Sequence, residues 1–331
     1  MKHKRSVPLV VLASALAISA CGSSSSGGSS KKVSLVAYST PQAAYAALIP
    51  AFEKTPAGKG VSFTQSFGPS GDQSRAVLAG QPASVVNMSL QPDVDKLATA
   101  GLVPATWNQN ATKGFVTDSV AVIIVRKGNP KHITGWDDLV KPGVQVLTPN
   151  PFSSGSAKWN VAAAYGSELK EGKTPAQADA YLTALFHNVV SQDSSARNAL
   201  QTFLAGKGDA LIDYESEAIA DQKSGSPISY VIPKQTILIQ NPIAITTKGD
   251  SPAAKAFVSY LLSPAGQTIW AANGYRPVTP GVAASSHFPT PPGIFTIDSL
   301  GGWTKVNTQF FDPTSGVVTK IEQGLGVSTS K

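Results

Sequence analysis

Thr148-Pro149-Asn150-Pro151-Phe152-Ser153-Ser154-Gly155-Ser156-Ala157-Lys158-Trp159 reads as a tight loop that opens a helix. Pro149 and Pro151 hold the backbone extended and end any helix before them. Ser154 is then a natural N-cap. Gly155 and Ser156 present two backbone N–H groups at the positive end of the helix with little side chain in the way. Such a start can cradle an anion, and it can equally be a plain capped helix. A strand over 144–147 precedes it, so the stretch is the turn of a strand–loop–helix unit.

The rest of the chain repeats that unit. Apolar runs at 33–38, 61–67 and 85–90 read as strands, each followed by a helical pattern, at 42–52, 73–79 and 94–100. This alternation implies a parallel sheet. Extended segments at 120–126 and 243–247 flank a central block. That block holds the stretch 136–140, the strand at 144–147, helices near 157–169, 175–186 and 196–204, and a strand at 210–213. Helical patterns return after 250. A block inserted between two extended segments predicts two α/β lobes joined by two crossovers: 33–118 with 248–331 as the first lobe, 119–247 as the second with the hinge strands. Ligands of such sheets sit where helix starts converge at the strand ends.

Three further loops repeat the opening device. Ser39-Thr40-Pro41-Gln42 and Ser70-Gly71-Asp72-Gln73 both have Ser-x-x-Gln spacing after a strand, and Ser194-Ser195-Ala196-Arg197 precedes another helix. Either reading fits: four ordinary caps, or one shared anion site.

With 331 residues, 42% of them hydrophobic, the chain can bury a sizeable core. Only 14% are charged, while 29 Gly and 24 Pro demand many loops. The net charge of +7 includes Lys2, Lys4 and Arg5, which open a segment read as removable. Without those three, 24 Lys and Arg face 20 Asp and Glu, a balance of +4. The basic residues are scattered singly, which excludes a nucleic-acid footprint.

Residues 1–20 read as a signal peptide: a basic start, a short apolar run, then Ser19-Ala20. Ile18-Ser19-Ala20-Cys21 resembles a bacterial lipoprotein box, in which Cys21 is the lipidated residue. It is also the sole cysteine, so disulfides and thiol catalysis drop out. Residues 21–32 then form a lipidated Cys and a flexible Gly/Ser tether. The expected location is the extracytoplasmic face of the cell membrane, held by the lipid alone.

Several longer motifs carry a family resemblance. Val125-Arg126-Lys127-Gly128-Asn129-Pro130, Trp136-Asp137-Asp138-Leu139-Val140-Lys141-Pro142-Gly143-Val144 and Leu147-Thr148-Pro149-Asn150-Pro151 with Ser153-Ser154-Gly155 resemble the sulfate-binding protein family of bacterial ABC importers. So do Tyr275-Arg276-Pro277, Phe295-Thr296-Ile297-Asp298 and Gly301-Gly302-Trp303. The similarity runs from about 33 to about 323. It implies an α/β, two-lobed periplasmic-binding-protein-like fold with two hinge crossovers, closing around dehydrated sulfate. It also implies an ABC permease and ATPase as partners, a monomer, no cofactor and no metal.

In that family uncharged donors hold the anion. Carried onto this chain, they are the hydroxyls or N–H groups of Ser70 and Ser154, the N–H groups of Gly155, Ser156 and Ala196, and the N–H at Ser39. Tyr214 stands where better-known members carry a Trp; a phenol can accept as well as donate. Asp72 would repel an anion if it pointed inward and is expected to face solvent. Asp213 is expected to face away from the cleft.

Enzyme readings find little support. Gly172-Lys173-Thr174 imitates the end of a P-loop, but Gly166 is misplaced for it and the stretch joins two helices. No Gly-x-Ser-x-Gly elbow occurs. His3, His132, His187 and His287 lack ligand spacing. A structural surface adhesin would suit the anchor and tether equally well. Within binding proteins, the alternatives to sulfate are thiosulfate, molybdate or tungstate, and phosphate, which pocket size would separate.

Overall fold

A chain that alternates buried strands with helices can cover both faces of a parallel sheet, and both lobes are built this way. The computed structural model describes residues 31–329, so the expected signal peptide, Cys21 and most of the tether lie outside the described residues. The first lobe runs β1 (Lys32–Tyr38), α1 (Gln42–Glu53), β2 (Ser62–Gly68), α2 (Ser70–Leu78), β3 (Val85–Asn87) and α3 (Gln91–Thr99). The long β4 (Phe115–Arg126) then carries the chain into the second lobe. There follow β5 (Val146–Pro149), α4 (Gly155–Lys170), α5 (Pro175–His187), β6 (Val189–Asp193), α6 (Ala196–Leu204), β7 (Ala210–Tyr214), α7 (Glu215–Lys223) and β8 (Ile228–Val231). The equally long β9 (Gln235–Ile245) returns to the first lobe, which adds α8 (Pro252–Leu262), α9 (Pro264–Ala272) and β10 (Arg276–Pro277).

The strand order is β2-β1-β3-β9-β4-β7-β5-β6. β1 pairs parallel with β2 and β3, and β5 pairs parallel with β6 and β7. β4 and β9 pair antiparallel with each other, and each also joins a lobe sheet: β9 pairs β3 at one end, β4 pairs β7 at the other. They are the two connections expected between lobes.

Each sheet has an apolar layer on either face. In the first lobe Tyr45, Leu48, Phe52, Phe257 and Trp270 cover one face, and Val86, Met88, Val94 and Leu97 the other. Phe52 and Phe257 are fully buried with ring centroids 5.2 Å apart, and burying each contributes about 1.5–3 kcal/mol. In the second lobe Trp159, Leu182 and Ile212 lie on one face and Leu147, Leu200 and Phe203 on the other.

The structure corrects one boundary. The sequence reading assigns 248–331 to the first lobe, which holds for α8 and α9. After α10 (Pro280–Ser285), however, β11 (Gly293–Phe295) pairs parallel with β9 at Gln235–Ile237. Phe295, Trp303, Phe310 and Val318, carried by β11, α11 (Gly302–Phe311) and α12 (Val317–Gly324), then complete the second-lobe core. The physical reason is α4: its apolar side needs covering, and Gly166 lets the Phe295 ring approach to where a Cβ would stand 2.3 Å away. β6 is a second difference. Val189-Val190-Ser191-Gln192-Asp193 is half exposed at the sheet edge and lacks the apolar run of the other strands.

Phe310→Ala is therefore expected to destabilise the protein by about 3–5 kcal/mol through a cavity in the second-lobe core. Denaturant unfolding measures this; unchanged stability would mean that the C-terminal helices are an appendage.

Candidate functional site

In both lobes the parallel strands run toward the place where the lobes meet, so the helix after each strand starts there. β1, β2 and β3 deliver the first turns of α1, α2 and α3 from one side; β5, β6 and β7 deliver those of α4, α6 and α7 from the other. Ser39, Ser70, Ser154, Gly155, Ser156 and Ala196 all line one small cavity at this junction. Its other walls are Tyr38, Thr40, Pro69 and Ser89. The volume is about 10 Å³, room for about one water, so a larger ligand is admitted only as the walls give. No lining residue carries a charge, since burial pushes the Tyr38 phenol well above its ordinary value.

α1, α2 and α4 begin at Pro41, Pro69 and Ser154 without a side-chain cap. Their first N–H groups have no carbonyl one turn back to meet. In α6, the Ser195 hydroxyl accepts from the Asn198 N–H at 3.2 Å, leaving the N–H of Ala196 at the helix start. The first two Ser-x-x-Gln loops are thus not capping boxes.

The hydroxyls are placed differently from expectation. Ser154 Oγ lies 2.8 Å from Ser156 Oγ, so one of these two hydrogens closes the pair and the other is left over. Ser70 Oγ donates to Asp93 Oδ2 at 2.7 Å and accepts from the Ser89 N–H at 3.0 Å. Ser70 therefore offers the cavity its backbone N–H, its hydroxyl being spent on a buried carboxylate. The opening loop owes its shape to Asn150, whose Oδ1 accepts from Phe152 N at 2.8 Å and whose carbonyl accepts from Ser154 N at 2.9 Å. Lys158 points away from the cavity, donating to Asn307 Oδ1 at 2.9 Å, with its ammonium 4.5 Å from the Phe311 ring centroid.

Tyr214 does not line the cavity. Its hydroxyl lies 2.7 Å from Ser89 Oγ, which does. Asp72 is 44% exposed and paired with Arg75. Asp213 is fully buried: Oδ1 accepts from the Tyr214 N–H at 2.8 Å and Oδ2 meets no partner. Burial pushes its carboxyl up to about 7, against the pull of its bond to the Tyr214 N–H and of nearby Arg197. Arg197, next to Ala196, donates to Glu217 Oε1 at 2.8 Å and to the Thr40 carbonyl of the first lobe at 3.2 Å. Burial also raises Glu217 well above its ordinary value.

Ser89 is the residue that sequence reasoning passed over. It follows β3 and precedes Leu90-Gln91-Pro92, another strand-to-helix turn with Pro at the helix start, so the rule that found the other loops also applies there. Gly155 is packed against it: a Cβ on Gly155 would stand 2.6 Å from Ser89 Oγ and 2.8 Å from Leu90 Cγ. Gly71 is similarly close to the opening loop: a Cβ there would stand 3.1 Å from the Ser153 carbonyl oxygen.

The model of a bacterial extracellular solute-binding protein matches residues 33–276. The sulfate-binding protein of Synechococcus elongatus is 40% identical over 95% of this chain and 94% of its own length. The thiosulfate-binding protein of Pseudomonas aeruginosa is 35% identical over 86% and 90%. Among solved structures, the sulfate-binding protein SubI from Mycobacterium tuberculosis superposes with a TM-score of 0.82 at 43% identity, covering 85% of this chain and 99% of its own.

A carboxyl raised in the folded state contributes stability below its unfolded value near 4, and that contribution is lost as pH rises to about 7. Asp213→Asn removes the buried charge. Above pH 7 the variant is expected to melt at least about 2–4 °C higher than the parent, with the difference closing toward pH 4. Melting scans across that range test it, and a constant difference would show that Asp213 does not titrate there.

Proposed function

The chain belongs to the bacterial extracellular solute-binding proteins and, among them, to the sulfate-binding protein family, and from that premise we propose that it captures sulfate outside the cytoplasm and delivers it to an ABC importer. The observation that carries this reading is the junction of helix starts, five of them without side-chain caps, around a compact cavity with no charged lining residue. Sulfate holds no proton at neutral pH, so all its oxygens accept, and first-turn N–H groups only donate. Each hydrogen bond to a charged group contributes about 1.5–3 kcal/mol. Helix dipoles add to this without a counter-cation whose own desolvation would have to be offset.

A second reading is a related oxyanion: thiosulfate, molybdate or tungstate, or phosphate. The Ser154–Ser156 hydroxyl pair favours it, because a hydroxyl can turn to accept the proton that hydrogen phosphate carries. The likeness to a thiosulfate-binding protein supports the same class.

The reading extends to the membrane. Ile18-Ser19-Ala20-Cys21 and the Gly/Ser tether support a lipid-anchored monomer that meets the permease and ATPase subunits of a sulfate importer at the outer face of the membrane. Among the described residues no helix is long and apolar enough to cross a membrane. In this reading the anchor is the lipid on Cys21, proposed from the sequence motif alone.

Calorimetric titration with sulfate, thiosulfate, molybdate and phosphate tests the capture reading; no heat with any of them would refute it. Gly155→Ala is expected to weaken sulfate binding by about tenfold or more, because the added methyl wedges against Ser89 and Leu90 where the lobes meet. Cys21→Ser is expected to move the protein from the membrane fraction to the soluble fraction with sulfate affinity intact. Continued membrane retention would overturn the anchor.

A further inference from the structure

We infer that Ser89 is itself an anion ligand, donating its hydroxyl hydrogen into the cavity, and that Tyr214 is the positioning residue that turns it there. This rests on the sulfate-capture reading and adds to it a side-chain donor from the first lobe. Ser89 is held from three directions. Its N–H donates to Ser70 Oγ at 3.0 Å, and its carbonyl accepts from the Trp159 indole of α4 at 2.9 Å and from the Asn241 amide of β9 at 3.3 Å. Elements of both lobes and a connecting strand thus fix one serine backbone, and Gly155 closes against its side chain. A residue 1% exposed and this constrained has one free variable, the direction of its O–H.

Tyr214 sets that direction. Its oxygen stands 2.7 Å from Ser89 Oγ, and one of the two hydrogens lies between them. Burial holds the phenol protonated, well above its ordinary value, and Ser89 Oγ lies within its reach. A phenol is a stronger donor than an aliphatic hydroxyl, so its single hydrogen goes to Ser89 Oγ. Ser89 must then send its own hydrogen elsewhere. Ser89 lines the cavity and Tyr214 does not, so an anion oxygen held in the cavity is the acceptor for that hydrogen. The phenol reaches the ligand through a serine instead of touching it, which accounts for a tyrosine one shell back from the cavity that its strand adjoins.

The test is calorimetry with sulfate at pH 7 on the full chain, with Ser89→Ala, Tyr214→Phe and the double variant, each checked by its ligand-free melting temperature. Ser89→Ala is expected to weaken binding by about 10- to 100-fold. Tyr214→Phe is expected to weaken it by less, and in the Ser89→Ala background to change it by less than about twofold, because the hydrogen it would direct is gone. Ligand-free melting temperatures should move by no more than a few degrees, which separates positioning from a structural role. Affinity of Ser89→Ala within about twofold of the parent overturns the inference, and so do independent losses that multiply in the double variant. If Ser89→Ala does not fold, Tyr214→Phe decides: parental affinity overturns the inference, and a loss supports it. Failure of the parent itself to bind sulfate would refute the capture reading, an outcome distinct from a parent that binds with Ser89 indifferent.

Discussion

A backbone N–H withdrawn from water must meet an acceptor or cost free energy comparable to a lost hydrogen bond. Five helices, α1, α2, α3, α4 and α7, begin at the meeting point of the lobes with no side chain supplied for that purpose, and the rest of the architecture follows from bringing them together. Parallel pairing in each lobe sends the helix starts to the same end of its sheet. β4 and β9 set the two sheets so that those ends face each other. Small residues then let the two sides approach: Gly155 against the Ser89 and Leu90 side chains, Gly71 against the Ser153 carbonyl. A side chain at either glycine would hold the two sets of donors apart.

Much of this was legible because the signals are local. The strand-to-helix turns at Ser39, Ser70, Ser154 and Ala196 announce themselves by small residues after an apolar run, and α6 (Ala196–Leu204) begins and ends where its pattern does. What each hydroxyl does was not legible, because that is decided by partners distant in sequence. Ser70 spends its hydroxyl on Asp93, 23 residues away, and Ser154 turns to Ser156 where a local cap was expected. Tyr214 was noticed through family likeness alone, and its actual neighbour, Ser89, lies 125 residues earlier. The C-terminal helices misled for the same reason: the pattern after 250 is helical throughout, and nothing in it says that α8 packs on one lobe and α11 on the other.

Charge is kept close to the cavity without entering it. Arg197 stands beside Ala196, yet its guanidinium is turned to Glu217 and the Thr40 carbonyl. Asp213 stands beside Tyr214, yet it faces the Tyr214 N–H with its other oxygen unpartnered. Burying these groups is expensive, and removing either Arg197 or Glu217 leaves the other uncompensated. The arrangement gives the cavity a rigid back wall while leaving neutral dipoles at its face. Neutral donors fixed in place need little reorganisation when a ligand exchanges them for its hydration shell.

The same neutrality bears on how the lobes come together. Each lobe has its own apolar core, and Tyr38 and Leu90 are the first-lobe residues that join the core of the second. Most other contact across the junction is polar: Trp159 to the Ser89 carbonyl, Ser89 to Tyr214, Arg197 to Thr40. Separating the lobes therefore withdraws Tyr38 and Leu90 from the second core but leaves the rest of both cores in place, and β4 and β9 are the connections about which such a rotation can occur. Bringing them together has an opposing electrostatic component, since the positive ends of helices from both lobes are pushed toward one point. An anion at that point reverses the sign: each helix start that repels the others is attracted to it. A ligand that interacts so differently with the joined and separated lobes shifts the balance between them. The uncapped helix starts thus make the contact between the lobes depend on a negative charge held between them.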